Sequence, residues 1–469
     1  MSDLIISISG VRGIAGENLT AEVAYRFGKA FGKYLSANSK EQIVNREVVI
    51  GRDTRHYGPE LLAGINKGLQ EEGYSVLNIG IVPTPTVQIF TVIKKAGGGI
   101  IITASHNPQQ WNGLKFVSSK GMFLTENEAG EFIELYKQVS GVRDHVSVPT
   151  ATPVTENPIL HQEAVDYHLN KIVSNINVDL IREKKFKVAI DCANGAGCGI
   201  TNRMLDMLGC DIVAINSEPK GDFNRSPEPT PANIQELCDA VSGNGADIGF
   251  AQDADADRLA IVDELGQPIG EDNTLVLAVD HVLGAQNNGN REYPVAVTNL
   301  STTMAFDDVA GRHNAIIIRT KIGEINVSEV IKNENAVIGG EGNGGVIWPV
   351  IGLGRDSLAG IALILEYMAL SDQKLSSLVN AVPKYYTVKD KMACGSKDQV
   401  QGLIDKFSAI TWDNPVLMKN EMDGVKITFN DSWVHLRGSN TEPIVRIIAE
   451  AKTLKDAEAL VAKVKSSIV

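Results

Sequence analysis

The chain has 469 residues, 43% of them hydrophobic and 22% charged, with a formal net charge of −13. This length exceeds what one core serves and predicts roughly three or four domains, while an ordinary composition with no apolar run of membrane-spanning length excludes a membrane-embedded class. The acidic excess disfavours nucleic acid and anionic membrane surfaces as partners, so an anionic ligand must be met by Arg and Lys gathered locally. Residues 1–19 lack a basic region followed by an apolar stretch, and the five cysteines are odd in number and widely spread. Both features predict a cytoplasmic protein with reduced thiols.

In chain order, residues 46–50 have the pattern of a buried strand ending in Gly51-Arg52-Asp53, and residues 59–72 follow with helical apolar spacing and a stop at Gly73. Strand and helix alternate again through 76–79 and 85–95. Gly97-Gly98-Gly99 then leads into the apolar strand 100–103, which delivers Ser105 at its end. The Pro- and Thr-rich stretch 148–158 reads as a linker. After it come a strand at 187–190 with a glycine-rich turn at Asp191 to Gly197, then a third unit from about Asp263 with strands at 295–297, 315–318 and 336–338. A fourth unit follows Lys384 and ends in the helix Leu454–Ile468. Three units repeat the order strand, polar turn, helix. The pattern predicts an α/β protein of four domains around a shared cleft, with active groups at the carboxyl ends of strands.

Four stretches carry chemistry. Thr103-Ala104-Ser105-His106-Asn107-Pro108 puts a hydroxyl on a turn that Asn-Pro forces away from the strand. A serine that already bears phosphate needs little activation, because cations do the catalysis; taken alone, the stretch is equally a plain turn. Asp253-Ala254-Asp255-Ala256-Asp257-Arg258 alternates its carboxylates. In an extended segment they would point one way, onto one Mg2+. An EF-hand would put Glu264 at its twelfth position, but it needs Gly where Arg258 stands and helices where 248–250 and 259–262 are strand-like. A haloacid-dehalogenase D-x-D-x-T motif wants Thr where Asp257 stands. Glu341-Gly342-Asn343-Gly344-Gly345 combines backbone that can approach a ligand with groups that bond vicinal hydroxyls. Arg437-Gly438-Ser439-Asn440-Thr441 offers a guanidinium, hydroxyls and an amide to a phosphate, or is a polar hairpin.

Taken in this order, the four stretches resemble the phosphoserine, metal, sugar and phosphate loops of the α-D-phosphohexomutase superfamily, which includes phosphoglucomutase/phosphomannomutase and phosphoglucosamine mutase. The likeness covers the whole chain. It implies a phosphoserine-loop domain at 1–150, a metal-binding domain at 155–260, a sugar-recognition domain at 261–372 and a phosphate-binding domain at 384–469. The first three would be mixed α/β sandwiches of similar topology and the fourth a smaller α+β domain. The resemblance further implies a phosphorylated Ser105, Mg2+ held by Ser105, Asp253, Asp255 and Asp257, and a hexose 1,6-bisphosphate intermediate that turns over in the cleft. Ser9-Gly10-Val11-Arg12-Gly13, Trp111-Asn112-Gly113-Leu114-Lys115 and Thr320-Lys321-Ile322-Gly323 are similar to further family segments. By that likeness Arg12, His106 and Lys115 join Ser105 as the catalytic set, Lys115 as candidate acid/base. Arg258, Lys321, Glu341, Asn343, Arg437, Ser439, Asn440 and Thr441 would bind substrate.

Two departures bear on the sugar. Many bacterial members end the sugar loop in Ser-Gly-His where this chain has Asn343-Gly344-Gly345, and Glu324 stands where several place His or Asp. The G-E-x-N-G-G form looks like an archaeal-type branch often assigned as phosphoglucosamine mutase, so glucosamine phosphate leads, followed by glucose and mannose phosphates. The expected partners are small-molecule sugar phosphates alone, for a monomer or homodimer. A metal-dependent phosphatase would use the same aspartates; a non-catalytic sugar-phosphate sensor would have no reason to keep Ser105 and Lys115.

Overall fold

The computed structural model describes residues 4–38, 45–141, 154–285, 293–439 and 444–468. Among them the strand and helix alternation read from the sequence resolves into four sheets. In the first, the strand Glu47–Arg52 lies between two parallel neighbours, Ser75–Ile81 and Gly98–Ile102, and the antiparallel Trp111–Ser118 borders the latter. The second sheet repeats this plan: Lys187–Asp191 between parallel Asp211–Ile215 and Ile248–Gln252, with antiparallel Leu259–Asp263 at the edge. The third does so again, with Val295–Asn299 between Ile316–Thr320 and Ile338–Glu341, and Gly345–Ile347 antiparallel to the last. The first sheet is extended by Gly10–Ile14 and Ile5–Ser7. Strands such as Gly98–Ile102 and Ile248–Gln252 are buried at every position, as a sheet covered by helices on both faces requires.

The common plan places the site. In all three units the turn between the third strand and its antiparallel partner carries the chemistry: Ser105 in the first, Asp253 to Asp257 in the second, Asn343 in the third. The fourth domain is a five-stranded antiparallel sheet in the order Tyr386–Ala393, Ile444–Ala451, Ser432–Gly438, Val425–Thr428, Met418–Asn420, covered by the helices Lys397–Ser408 and Leu454–Ile468. The described part of the phosphate-loop stretch ends the strand Ser432–Gly438, and beyond it the Ser439 N–H donates to Ile444 O at 3.0 Å.

The linker reading of 148–158 is corrected at its end. Asn157 caps a helix Pro158–Val173, with its side chain accepting from the N–H groups of Ile159 and Leu160 and proline at the first position, where a missing N–H does no harm. Residues 148–153 lie outside the described residues. One continuous core joins the first three domains, from Val49 and Phe90 through Ile190 and Phe250 to Leu275 and Leu363. The fourth domain has its own core around Phe407, Ile427, Leu436 and Ile447. It meets the third through polar contacts: Lys426 Nζ to Leu300 O at 2.5 Å, Glu450 accepting from Met304 N at 2.7 Å, and His435 to Ser301 Oγ at 2.9 Å.

Candidate active site

Ser105 is buried and adopts a left-handed backbone conformation, φ 49°, which costs a non-glycine residue free energy unless its surroundings enforce it. The enforcement comes from Arg55. Its Nε pairs with Asp53 at 2.9 Å, Nη1 donates to the carbonyls of Pro108 and Trp111 at 2.8 and 3.0 Å, and Nη2 to those of Ser105 and Asn107 at 2.8 and 2.7 Å. Every side-chain N–H of this fully buried guanidinium is thus engaged, and all but one of these bonds grip the serine loop. Asp53 also accepts from Thr103 Oγ1 at 2.7 Å, and Thr103 Oγ1 accepts from the Ser105 N–H at 2.9 Å. The sequence reading stopped at Gly51-Arg52-Asp53 and missed Arg55; a carboxylate and an arginine two residues apart at a strand end were the available signal.

The three aspartates come together as anticipated, but by a different route. They lie on a tight turn between the antiparallel strands Ile248–Gln252 and Leu259–Asp263, not on an extended segment, and Ala256 is left-handed at φ 53°. One oxygen from each of Asp253, Asp255 and Asp257 lies within 4.8 Å of the others. Asp255 Oδ1 and Asp257 Oδ1 are buried with no hydrogen-bond partner, a costly arrangement that a hard cation would relieve. The donor set therefore fits Mg2+ or a similar ion. Ser105 Oγ donates to Asp253 Oδ2 at 2.7 Å, so the hydroxyl of the first domain and the carboxylates of the second form one cluster.

Cations surround it. Lys115 Nζ lies 2.7 Å from Asp255 and 3.3 Å from Asp257; burial alone would lower its pKa, but these carboxylates outweigh it and hold the ammonium charged. Thr84 Oγ1 adds a 2.6 Å bond to Asp255. Arg12 donates to Asn107 Oδ1 at 3.0 Å, and its pKa is lowered by burial and by nearby Arg258. Burial, with Arg258 and Arg12, pushes His106 down to about 2. His106, whose Nδ1 is 3.5 Å from Ser105 Oγ, is thereby favoured as the neutral imidazole. Arg258 lies 3.6 Å from Glu228 and 3.8 Å from Asp257, and its Nε has no hydrogen-bond partner.

The sugar-loop carboxylate is more constrained than expected. Glu341 Oε1 accepts from Asn299 Nδ2 and from the Gly323 N–H, both at 2.9 Å, and Oε2 accepts from Arg355 Nη1 at 2.9 Å. Asn343 Oδ1 is buried without a partner. Arg437 Nη1 lies 3.6 Å from Asp423, its Nε is unpaired, and it feels the charge of Glu341. Lys321 is half exposed and reaches Glu126 of the first domain at 3.6 Å. Asn440 and Thr441 lie outside the described residues. Arg355 and Asn299 escaped the sequence reading, because neither stands in a recognisable motif. Glu324, by contrast, is tied to Arg355 at 3.0 Å and to Gln88 at 3.0 Å, and burial raises it to about 7.

With this geometry in place, the comparisons are direct. The chain matches the phosphoglucomutase/phosphomannomutase alpha/beta/alpha domains I, II and III over residues 4–143, 166–266 and 270–386, and the C-terminal domain over 387–467. The chain belongs to the phosphoglucomutase/phosphomannomutase family. It is 37% identical to the phosphoglucomutase/phosphomannomutase of Thermococcus kodakarensis, over 96% of this chain and 94% of that protein. With the phosphoglucosamine mutase of Methanococcus vannielii it shares 33% identity over 95% of each, and with the phosphoglucosamine/phosphogalactosamine mutase of Sulfurisphaera tokodaii 30% over 99% of each. Among solved structures, a phosphoglucomutase/phosphomannomutase family protein from Burkholderia thailandensis superposes with a TM-score of 0.81 at 26% identity, covering 99% of this chain and 95% of that one. No helix among the described residues is long and apolar enough to cross a membrane.

Proposed function

We propose that this chain is a cytoplasmic phosphohexomutase that interconverts hexose 6-phosphate and hexose 1-phosphate through phosphorylated Ser105, with glucosamine phosphate as its leading substrate and glucose and mannose phosphates next. The observation that carries the reading is the 2.7 Å contact of Ser105 Oγ with Asp253 beside two unpartnered carboxylate oxygens. A phosphoserine there would share Asp253, Asp255 and Asp257 with a divalent cation, which supplies charge neutralisation to the transferring phosphoryl group. Lys115, held charged beside Asp255 and Asp257, would give a proton to the leaving serine oxygen and take it back in the reverse transfer. Arg12 and Arg258 stand ready to offset the phosphoryl charge. Glu341 and Asn343 would hold ring hydroxyls, and Arg437 with Ser439 the phosphate that is not reacting. The bisphosphate then has to turn end over end between the two transfers.

The preference for an amino sugar rests on the Asn343-Gly344-Gly345 form of the sugar loop and on archaeal relatives named phosphoglucosamine mutase. The Thermococcus relative supports the glucose and mannose alternatives. Purified enzyme assayed on glucosamine, glucose, mannose and N-acetylglucosamine phosphates, with values of kcat/KM compared, ranks them. Release of inorganic phosphate without isomerisation would identify a phosphatase instead.

A further inference from the structure

We propose that Arg355 is a positioning residue that holds the metal loop and the sugar loop in one rigid frame, an inference that rests on the mutase reading and deepens it. Its guanidinium is buried and reaches carboxylates from three separate elements, a turn, the end of a strand and the start of a helix: Nη2 to Asp257 Oδ2 at 2.7 Å, Nη1 to Glu341 Oε2 at 2.9 Å, and Nε to Glu324 Oε2 at 3.0 Å. Asp257 belongs to the second domain, Glu341 and Glu324 to the third. A planar fork with fixed donor directions can set the orientation of several carboxylates at once; a flexible ammonium cannot.

The base of this fork is itself immobile. Arg355 precedes the buried helix Ser357–Ser371, which Asp356 caps by accepting from Leu358 N at 2.9 Å and Ala359 N at 3.3 Å. The other Asp356 oxygen contacts His168 Nε2 at 2.8 Å. Ser357 Oγ donates to the carbonyl of left-handed Ala256 at 2.6 Å and accepts from Gln252 Nε2 at 2.7 Å. Residues 355–357 therefore brace the metal turn through both its backbone and its last carboxylate. Because Arg355 and Lys115 both occupy Asp257 Oδ2, Oδ1 is the oxygen left over for a cation. The side chain also needs room that only glycine leaves: a Cβ on Gly345 would lie 2.2 Å from Arg355 Cδ. Supports behind a metal ligand matter to affinity nearly as much as the ligands do.

Two charge-preserving variants test this. Arg355→Lys keeps the positive charge near the cation and removes the fork; Gly345→Ala keeps Arg355 and displaces its stem. Mn2+ affinity is measured on purified full-length protein by electron paramagnetic resonance of the free ion, together with the melting temperature, kcat and KM. The expected result for Arg355→Lys is Mn2+ binding weaker by about tenfold, a melting transition that is lowered but still cooperative, as for any broken buried ion pair, and an activity loss that falls mainly on kcat. Gly345→Ala should shift Mn2+ binding in the same direction. Wild-type Mn2+ affinity in either folded variant overturns the proposal. So does loss of folding in both, since that would make Arg355 a stability residue. A wild-type protein that isomerises no hexose phosphate would sink the mutase reading, while the Mn2+ comparison still judges Arg355.

Discussion

Ser105 Oγ and Asp253 Oδ2, 148 positions apart in sequence, meet at 2.7 Å across the boundary between two domains. The serine is aimed by a loop that Arg55 clamps, and the aspartate by a turn whose N–H groups at Asp257 and Arg258 donate to its other oxygen at 3.1 and 3.2 Å.

Ser105→Ala is expected to fold normally and lose roughly a thousandfold or more in mutase activity, as removal of a covalent carrier does. Intact-mass measurement of the wild type should show a phosphorylated fraction that a sugar phosphate discharges. Full activity in the variant would rule out the carrier role.

Exhaustive chelation should abolish turnover, and Mg2+ should restore it. Asp255→Asn leaves the turn in place but weakens one ligand, so activity at fixed Mg2+ should fall by more than the roughly 10- to 100-fold typical of an outer supporting residue. Calorimetric titration with Mg2+ checks the affinity directly; a chelated enzyme that still turns over defeats the assignment.

Arg55→Lys should destabilise the first domain. A lysine cannot serve the carbonyls of Ser105, Asn107, Pro108 and Trp111 together, and breaking a buried ion pair costs on the order of 3–5 kcal/mol. Scanning calorimetry would show a lower midpoint, and kcat should drop as Ser105 leaves its strained conformation. An unchanged midpoint would mean the clamp is ornamental.

Arg437→Ala should lower kcat/KM by roughly thirtyfold, equivalent to about 2 kcal/mol for one charged contact, with KM raised for both isomers and more bisphosphate escaping into solution. Unchanged kinetics in both directions would place the phosphate elsewhere.

Glu324 supplies a pH signature. Its folded-state pKa is raised from 4.5 to about 7, first by burial, so between those values the folded protein binds the proton more tightly than the unfolded chain does. Stability must then fall as pH rises through that window. Comparing melting temperatures of the wild type and Glu324→Gln from pH 4.5 to 7 should show the wild type losing ground steadily. Parallel curves would contradict the shift.

The fold and the candidate site motifs were legible because they are local. Apolar runs bounded by Gly and Pro marked the strands, and Ser105 and the aspartates stand in short contiguous motifs. What escaped was non-local. Arg355 and Asn299 acquire their meaning only when distant loops converge, and no spacing rule reaches that far. The aspartate turn departs from the extended reading for another reason: alternation implies one face only in extended backbone, and nothing in an alanine's side chain announces the left-handed conformation of Ala256 that folds the turn. Glu341 was found, yet its near-saturation by Asn299, Gly323 and Arg355 could not be.

The Arg55 clamp has one more consequence. A serine whose own carbonyl and those of Asn107, Pro108 and Trp111 are pinned to a buried guanidinium is a fixed post, so on the mutase reading the distance between the two phosphoryl positions of a hexose would be made up by the ligand's own tumbling. The catalyst stays still and the sugar walks. On that reading throughput depends on a contest between reorientation and departure, and the fourth domain, joined to the third through polar contacts rather than a shared core, is where that contest would be tuned.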